Sequence, residues 1–159
     1  TYFLHGRDVS HLNRQALAEV RNRQIGFVFQ HFHLIEDMSA LSNVEMPLVF
    51  GGHDRLRRRE IARHALELVG LGHRLDHRPN ELSGGQQQRT AIARALVNNP
   101  DIILADEPTG NLDQPSAIEI INLLHAIHEQ GKTIVLITHD PSVAAQAQRT
   151  LRMEEGRLI

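Results

Sequence analysis

The chain has 159 residues, of which 41% are apolar, and this composition supports one globular domain with a hydrophobic core. Its formal net charge of −2 excludes a global basic field of the kind that recruits nucleic acid or anionic lipid. Cysteine is absent, which excludes a disulfide framework, and no apolar run approaches the roughly 20 residues that span a bilayer.

The N-terminal part of the chain alternates short strand and helix patterns. Residues 2–4 are predicted to form a strand and residues 6–8 a turn, and residues 13–21 carry apolar side chains at helical spacing. Ile25–Phe29 is predicted to be a buried strand that ends at Gln30. The chain begins without Met and inside a strand pattern, so we expect an N-terminally truncated reading frame.

The middle of the chain is predicted to be helical. Pro47 and the pair Gly51-Gly52 are expected to interrupt a helical pattern that runs from about residue 39 to about residue 74. A loop at residues 78–81 and a helix that opens at Ser83 follow. The longest helix is expected to bury Ile61, Ala65, Leu68 and Val69. We therefore expect residues 39–98 to form an inserted helical subdomain that ends in the helix opened by Ser83.

The last third of the chain changes to a strand–helix–strand pattern. Residues 102–105 and 133–137 are apolar runs typical of strands buried on both faces, and they flank an amphipathic helix at residues 117–129. This order predicts a right-handed parallel βαβ unit within an α/β fold, whose sheet core comprises residues 1–38 and 99–159. The inward residues of the helix are expected to be Ile120, Ile121, Leu124 and Ile127. A short helix near residues 141–146 and a strand pair near residues 150–153 and 157–159 are expected to close the chain.

The run Leu-Ser-Gly-Gly-Gln-Gln-Gln-Arg at residues 82–89 predicts a turn that leads directly into a helix. Ser83 is a favourable N-cap, and Gln86 stands at capping-box distance from it. Gly84 and Gly85 allow the backbone to approach whatever lies before the helix, whose free N–H groups favour a phosphate. No Gly-x-x-x-x-Gly-Lys-Ser/Thr loop occurs in these 159 residues, so the sequence carries only one half of a nucleotide site.

Polar side chains follow all three predicted strands of the core: Gln30 the first, Asp106 and Glu107 the second, and His139 the third. Each alone can equally be an ordinary polar residue at a strand end. Because ligands bind outside the carboxyl ends of the strands in an open parallel sheet, the three positions together predict a phosphate-and-metal site. An Asp there suits Mg²⁺, and an adjacent Glu can orient a water against a γ-phosphate.

Two further features have both a structural and a functional interpretation. Asp113 is placed to be the N-cap of the following helix, a turn residue or a functional carboxylate. The arginine-rich run at residues 55–60 looks like a nucleic-acid patch, but acidic residues share its helix and few aromatic side chains offer stacking. A solvated helix face is the interpretation that this composition favours.

Taken in chain order, these motifs resemble those of the nucleotide-binding domain of ATP-binding-cassette (ABC) proteins. They correspond to the Q-loop at Gln30, the signature at residues 82–89, the Walker B motif at residues 102–107, the D-loop at residues 110–113 and the H-loop at His139. The signature joined to Ile-Ala-Arg-Ala-Leu is highly specific, and within the family the chain is most similar to the ATPases of lipoprotein-releasing and macrolide-export systems. The resemblance implies a P-loop NTPase-like sheet core, incomplete at the N-terminus, with an inserted helical subdomain.

The resemblance also implies a role for each residue of these motifs. Asp106 would help to place Mg²⁺ together with Gln30, and Glu107 would be the general base for the attacking water. His139 would stabilise the γ-phosphate. Asp113 would contact a second subunit across the dimer interface. Ser83, Gly84, Gly85 and Gln86 would bind the γ-phosphate of the ATP that this second subunit holds.

The implied cofactors are ATP and Mg²⁺, and the implied partners are a second ATPase subunit and a transmembrane permease, without nucleic acid. The location would be peripheral, on the cytoplasmic face of the inner or plasma membrane, and residues 31–50 with the helical insertion would receive the coupling helix of the permease. The Walker A loop would lie upstream of Thr1. We therefore expect that the 159-residue chain alone neither binds ATP tightly nor hydrolyses it.

Other classes fit the sequence less well. DNA-maintenance ATPases place long coiled-coil arms between the Q-loop and the signature, whereas the interval between Gln30 and Leu82 is short and carries no sustained heptads. Ribosome-associated ABC proteins would carry two cassettes joined by a basic linker. The presence of both Glu107 and His139 argues against a degenerate module that only binds nucleotide. A non-catalytic fragment stays an alternative.

Overall fold

The structure is a computed structural model that describes residues 1–4 and 6–159, which form seven strands and six α-helices. The strands are β1 (Phe3–Leu4), β2 (Arg7–Asp8), β3 (Ile25–Phe29), β4 (Ile102–Asp106), β5 (Thr133–Ile137), β6 (Met153–Glu154) and β7 (Arg157–Leu158). The helices are α1 (Arg14–Gln24), α2 (Ala40–Phe50), α3 (Arg55–Leu68), α4 (Gly84–Leu96), α5 (Gln114–Glu129) and α6 (Pro141–Ala144). A short 3-10 helix, Pro79–Glu81, lies where a loop was expected.

The central sheet is parallel and has the spatial order β3-β4-β5, so the predicted α/β fold with a parallel sheet is confirmed. Its register places Phe29, Asp106 and Ile137 side by side at the carboxyl ends of the strands. The chain crosses from β3 to β4 through α2, α3 and α4, and from β4 to β5 through α5. The residues that follow the three strands therefore emerge at one edge of the sheet.

One face of this sheet packs closely on the last turn of α4. A Cβ added to Gly26 would lie 2.6 Å from the backbone oxygen of Ala95, so a strand residue without a side chain is required there. Val28 lies two residues further along the same face, and it is fully buried together with Ile103 and Ala105 of β4. The close approach of β3 to α4 fixes the strand that leads to Gln30.

β5 differs from the expectation that it is buried on both faces. Its Val135 and Ile137 side chains are 44% and 55% exposed. The expectation is wrong because side chains alternate between the two faces of a strand, and only the face with Ile134 and Leu136 packs against the core. An apolar run alone does not show that both faces of a strand are covered.

Pro47 lies inside α2, so the expectation that it interrupts the helix is wrong. Proline removes one N–H donor, but its own carbonyl still accepts a hydrogen bond from the Gly51 N–H at 3.2 Å, and the last turn therefore closes. The chain leaves the helix at the glycine pair, where Gly52 has a φ of +76°. α2 opens at Ser39, whose side chain accepts from the Ser42 N–H, as a helix N-cap should.

The buried stripe of α3 differs from the expected one at two of its four positions, because Ile61 is only half-buried and Leu68 is exposed. Ala62, Ala65, Leu66 and Val69 are buried, which follows the i, i+3, i+4, i+7 pattern of a helix face. Leu68 lies off this stripe and is 61% exposed, so its expected burial is wrong. In α5 the expected inward residues Ile120, Ile121, Leu124 and Ile127 are all buried.

A buried amide fixes the loop between β3 and α2. The side chain of Asn43 is completely buried, and its Nδ2 donates to the carbonyls of Ile35, Met38 and Ser39 at 3.1–3.2 Å. Its Oδ1 accepts from the Ile35 N–H at 2.7 Å. Such a satisfied buried amide specifies one path for the loop that follows Gln30.

The ends of the chain form two small antiparallel hairpins, β1–β2 and β6–β7. Residues 7–8 pair with β1, so the turn expected at residues 6–8 is shorter than predicted. α5 begins at Gln114, three residues before the expected start, with Pro115 in its first turn, a position that proline favours. Among the described residues, the helices are too short or too polar for any of them to cross a membrane.

Candidate functional site

Side chains from three strand ends lie at one edge of the sheet. Gln30 follows β3, Asp106 ends β4 and is followed by Glu107, and His139 follows β5. The Glu107 N–H donates to the carbonyl of Ile137 at 2.9 Å, which ties the end of β4 to the end of β5. The grouping that the sequence predicts for these four side chains is thus reproduced at the level of the backbone.

The carboxylate of Glu107 is held from both sides. Oε1 accepts from the backbone N–H of His139 at 2.8 Å and lies 2.6 Å from its ring Nδ1, and Oε2 accepts from Thr138 Oγ1 at 3.3 Å. Glu107 has a φ of +46°, in the left-handed region that non-glycine residues seldom adopt. Its side chain is only 19% exposed. A strained backbone and a fixed carboxylate together are typical of a functional position.

His139 is the exposed member of this pair, with 85% of its side chain accessible. The hydrogen bond to Glu107 and, second, the negative charge of Glu107 raise the pKa of His139 above 6.5. Asp140 follows, and hydrogen bonds from Ser142 lower the pKa of its carboxyl. Asp140 is thereby committed to capping α6, and His139 is left facing solvent.

Asp106 and Gln30 offer oxygen atoms at the same edge. Asp106 is exposed, and its carboxylate has no hydrogen bond or ion pair within residues 1–4 and 6–159. In the same described part of the chain, Oε1 of Gln30 accepts no hydrogen bond, whereas Nε2 donates to Oδ1 of Asn111 at 3.1 Å. A free carboxylate beside a free amide oxygen is the donor chemistry that suits Mg²⁺.

Gln88 connects two of the strand ends and was not singled out from the sequence. It is completely buried in α4, and its Nε2 donates to the carbonyl of Pro108 at 2.5 Å and to that of Phe29 at 3.4 Å. These carbonyls flank Glu107 and Gln30 in the chain. The available signal was a polar side chain three residues after Gly85 and four before Ile92, on the face of α4 that is otherwise apolar.

Arg94 holds the loop that follows Gln30 and was also missed. Its guanidinium donates to the carbonyls of Phe32 and His33, at 2.7 and 2.5 Å. Both of these residues have positive φ, 57° and 48°. Burial lowers the pKa of Arg94, but an arginine remains charged at neutral pH. Arg94 thereby joins helix α4 to the loop that follows Gln30.

The signature residues form the predicted helix start. Ser83 Oγ accepts from the Gln86 N–H at 3.3 Å, and Gln86 Oε1 accepts from the Ser83 N–H at 3.0 Å, so the predicted capping box is confirmed. Gly85 is buried, and a Cβ there would lie 3.0 Å from Ser116 Oγ. Gly85 is therefore needed for packing against α5, whereas Gly84 has ordinary clearance. No hydrogen bond in the described residues joins Ser83–Gln86 to the strand-end group.

Asp113 occupies the N-cap position of α5, but its side chain accepts no hydrogen bond from the first turn. Its backbone carbonyl accepts from the Ala117 N–H at 2.9 Å, so only the main chain contributes to the helix start. The carboxylate is exposed. Of the interpretations open at the level of sequence, side-chain capping is the one that this geometry does not support.

Comparison with solved structures identifies a close match in fold. The ATP-binding cassette MJ0796, in a dimeric post-hydrolysis state bound to ADP and Pi, superposes with a TM-score of 0.85 at 43% sequence identity. The match covers 98% of this chain and 69% of that one. The sheet core is therefore that of a P-loop NTPase-like ABC cassette.

Sequence comparison gives the same result. The ABC transporter family model matches residues 3–110. The macrolide export ATP-binding/permease protein MacB of Shewanella sp. (strain ANA-3) is 50% identical over 159 residues, and the chain spans 24% of its length. An ABC transporter ATP-binding protein of Thermotoga maritima is 51% identical over 155 residues, and the match covers 66% of that protein's length. The chain therefore belongs to the ABC transporter family.

Proposed function

We propose that this chain acts in an ABC ATPase that hydrolyses ATP to drive export through a transmembrane permease. The observation that carries the proposal is the fixed carboxylate of Glu107 at the end of β4, in contact with His139 and adjacent to the free carboxylate of Asp106. Family membership supports ATP as the substrate. The whole protein's activity goes beyond this chain, which spans about a quarter of the length of the MacB relatives.

In this proposal Glu107 is the general base. A carboxylate oxygen offers two lone pairs, so Oε1 is fully used by the two donors of His139. Among the described residues Oε2 has a single donor, Thr138, and keeps a lone pair for a water molecule. Glu107 would orient that water and accept its proton as the water oxygen attacks the γ-phosphate.

His139 acts on the phosphate in the same proposal. Its Nδ1 is engaged with Glu107, which leaves Nε2 as the ring atom available to a ligand. The raised pKa of His139 favours the doubly protonated ring, in which Nε2 carries a proton. A γ-phosphate oxygen would then receive a charge-assisted hydrogen bond from Nε2.

Asp106 and Gln30 would hold Mg²⁺ through their free oxygen atoms. The ion would supply positive charge that offsets the negative charge of the phosphates. Gln30 also starts the loop that Arg94 and Asn43 hold. A displacement of this loop would therefore move Gln30 and with it the proposed cation site. Gln30 would thereby also report on the membrane partner.

The signature would act across a dimer. The solved MJ0796 cassettes are dimers, and in the described part of this chain no hydrogen bond joins Ser83–Gln86 to the strand-end group. The helix N-terminus at Ser83, Gly84 and Gly85 would therefore face the γ-phosphate of ATP held by a second subunit, with Gln86 completing the capping box. The exposed carboxylate of Asp113 would lie at the same interface.

A groove between α1 and α2 would receive the permease. It has a volume of about 640 Å³ and is lined by residues that include Ala18, Asn22, Met46 and Phe50. Phe50 is 77% exposed. An apolar group beside a groove suits an inserted coupling helix, so residues 31–50 and the helical subdomain at 39–98 would form the docking side, peripheral to the cytoplasmic face of the membrane.

Hydrolysis assays can test this function at the level of the whole protein. We expect the full-length protein to hydrolyse ATP in a Mg²⁺-dependent manner and residues 1–159 alone to be inactive, because no Walker A motif occurs in these residues. A full-length protein without Mg²⁺-dependent ATPase activity contradicts the proposal. The short helical interval between Gln30 and Leu82, with α2 and α3 in place of coiled-coil arms, argues against a DNA-maintenance role.

A further inference from the structure

Gln30 is held by the side chain of Asn111 in the D-loop. Nε2 of Gln30 donates to Oδ1 of Asn111 at 3.1 Å, and Nδ2 of Asn111 donates back to the main-chain carbonyl of Gln30, also at 3.1 Å. Nδ2 of Asn111 also lies 3.0 Å from Nδ1 of His31. Two residues far apart in the sequence are thus joined by a reciprocal pair of hydrogen bonds.

The chemistry of these groups fixes how both amides are turned. A main-chain carbonyl only accepts, so the nitrogen of Asn111 must face the Gln30 carbonyl. Oδ1 of Asn111 also only accepts, so the amide nitrogen of Gln30 must face it. The oxygen of the Gln30 amide is therefore directed away from Asn111. That oxygen is the single atom of this side chain that can bind a cation.

Gly110 provides the space that this arrangement needs. A Cβ added to Gly110 would lie 2.7 Å from Nε2 and 3.1 Å from Cδ of Gln30. A side chain at position 110 would therefore displace the amide of Gln30 from Asn111. Gly110 and Asn111 together make a seat for Gln30, and the two observations are independent.

We propose that Asn111 is a positioning residue that turns the amide oxygen of Gln30 toward the cation at the ends of β3 and β4. The proposal rests on the proposed function, because it takes Gln30 as a ligand of the Mg²⁺ used in ATP hydrolysis. Asn111 itself does not touch the cation in this scheme. The D-loop thereby has a second task within its own subunit, in addition to the one proposed for Asp113 between subunits.

A first experiment tests the seat without activity. Hydrogen exchange of the Gln30 side-chain amide is measured by NMR in residues 1–159, with Asn111→Ala and with Asn122→Ala as a matched control on the exposed side of α5. We expect the Gln30 amide protons to exchange more slowly than free amides in the wild type and in the control. Exchange at the free-amide rate in Asn111→Ala supports the seat, and unchanged exchange in that variant overturns it.

A second experiment tests the consequence for the cation in the full-length protein. Loss of a group that orients a metal ligand typically costs 10–100-fold in metal affinity, so Asn111→Ala should raise the Mg²⁺ concentration for half-maximal ATPase activity about tenfold or more. Asn111→Asp should do the same, because a second carboxylate oxygen would face the Gln30 carbonyl. Asn122→Ala should leave the Mg²⁺ requirement unchanged.

The double variant distinguishes positioning from an independent effect. If Asn111 acts through Gln30, Asn111→Ala has no further effect on the Mg²⁺ requirement once Gln30→Ala is present. Full additivity of the two substitutions overturns the proposal. If the wild-type protein hydrolyses no ATP, the proposed function fails instead, and the exchange experiment still decides whether Asn111 turns the Gln30 amide.

Discussion

Glu107 accepts two hydrogen bonds from His139 at the ends of adjacent strands, one from the backbone N–H at 2.8 Å and one at ring Nδ1, 2.6 Å away. The backbone bond sets the path of the H-loop, and the ring bond orients the imidazole. A displacement of β5 relative to β4 would therefore move both the proposed base and the proposed phosphate ligand. This pair links the sheet geometry to the chemistry of the site.

The pair predicts an elevated titration midpoint for His139. Glu107 raises the pKa of His139 above 6.5, first by hydrogen bonding and then by its charge. The protonated ring stabilises the folded state, and this contribution is complete below the unfolded pKa and is lost as pH rises through the folded pKa. NMR titration should give a midpoint above 6.5 in the wild type that falls toward 6.5 in Glu107→Gln. Equal midpoints in the two proteins would contradict the pairing.

Gln88→Met should destabilise the fold although it conserves volume. The substitution removes the donor to the carbonyl of Pro108 and leaves that buried acceptor without its partner, which costs about 1–3 kcal/mol in the free energy of unfolding. The carbonyl of Phe29 keeps the backbone N–H of Phe32 as a donor at 3.3 Å. Urea denaturation of residues 1–159 measures this change. Gln130→Met, at the exposed end of α5, is the control and should shift stability by less than about 0.5 kcal/mol. Equal effects of the two substitutions would show that Gln88 is not a structural link.

Gly26→Ala should separate β3 from α4. The new Cβ would lie 2.6 Å from the backbone oxygen of Ala95, and overpacking of this kind costs about 1–3 kcal/mol. Thermal or urea unfolding can measure the loss. Gly84→Ala is the comparison, because its Cβ would meet Leu112 Cδ2 at an ordinary 3.4 Å. A Gly26→Ala protein as stable as Gly84→Ala would refute the close approach.

Crosslinking from position 50 can test the proposed permease groove. A photoreactive phenylalanine in place of Phe50, in the full-length protein within membranes, should crosslink to the permease region. The same residue at Leu158, which is 64% exposed against 77% for Phe50, is the control and should not. Equal crosslinking from both positions would mean that exposure, and not the groove, determines the contact.

Local sequence rules predict the start of α4 and the strand ends of this molecule well. Ser83 and Gln86 form the predicted capping box, because capping depends on residues that are neighbours in the chain. The grouping of Glu107 with His139 also follows from sequence, since parallel strands bring their carboxyl ends to one edge.

Contacts between distant segments were not predictable in the same way. Asn111 and Arg94 meet the loop after β3 only through the tertiary fold, and nothing in their own neighbourhoods signals these partners. The exposure of Val135 depends on which face of the sheet the rest of the fold covers. α2 also continues through Pro47, although a proline within a helical pattern predicts a break at that point.

The role of Glu107 is tested most directly by the ATPase rate of the full-length Glu107→Gln protein. Loss of a general base lowers kcat by about 10²–10⁴-fold, and KM should change little because Gln keeps the shape of the side chain. Glu129→Gln, at the exposed end of α5, should retain wild-type kcat. A Glu107→Gln protein with kcat within about twofold of the wild type would contradict the assignment of Glu107 as the base.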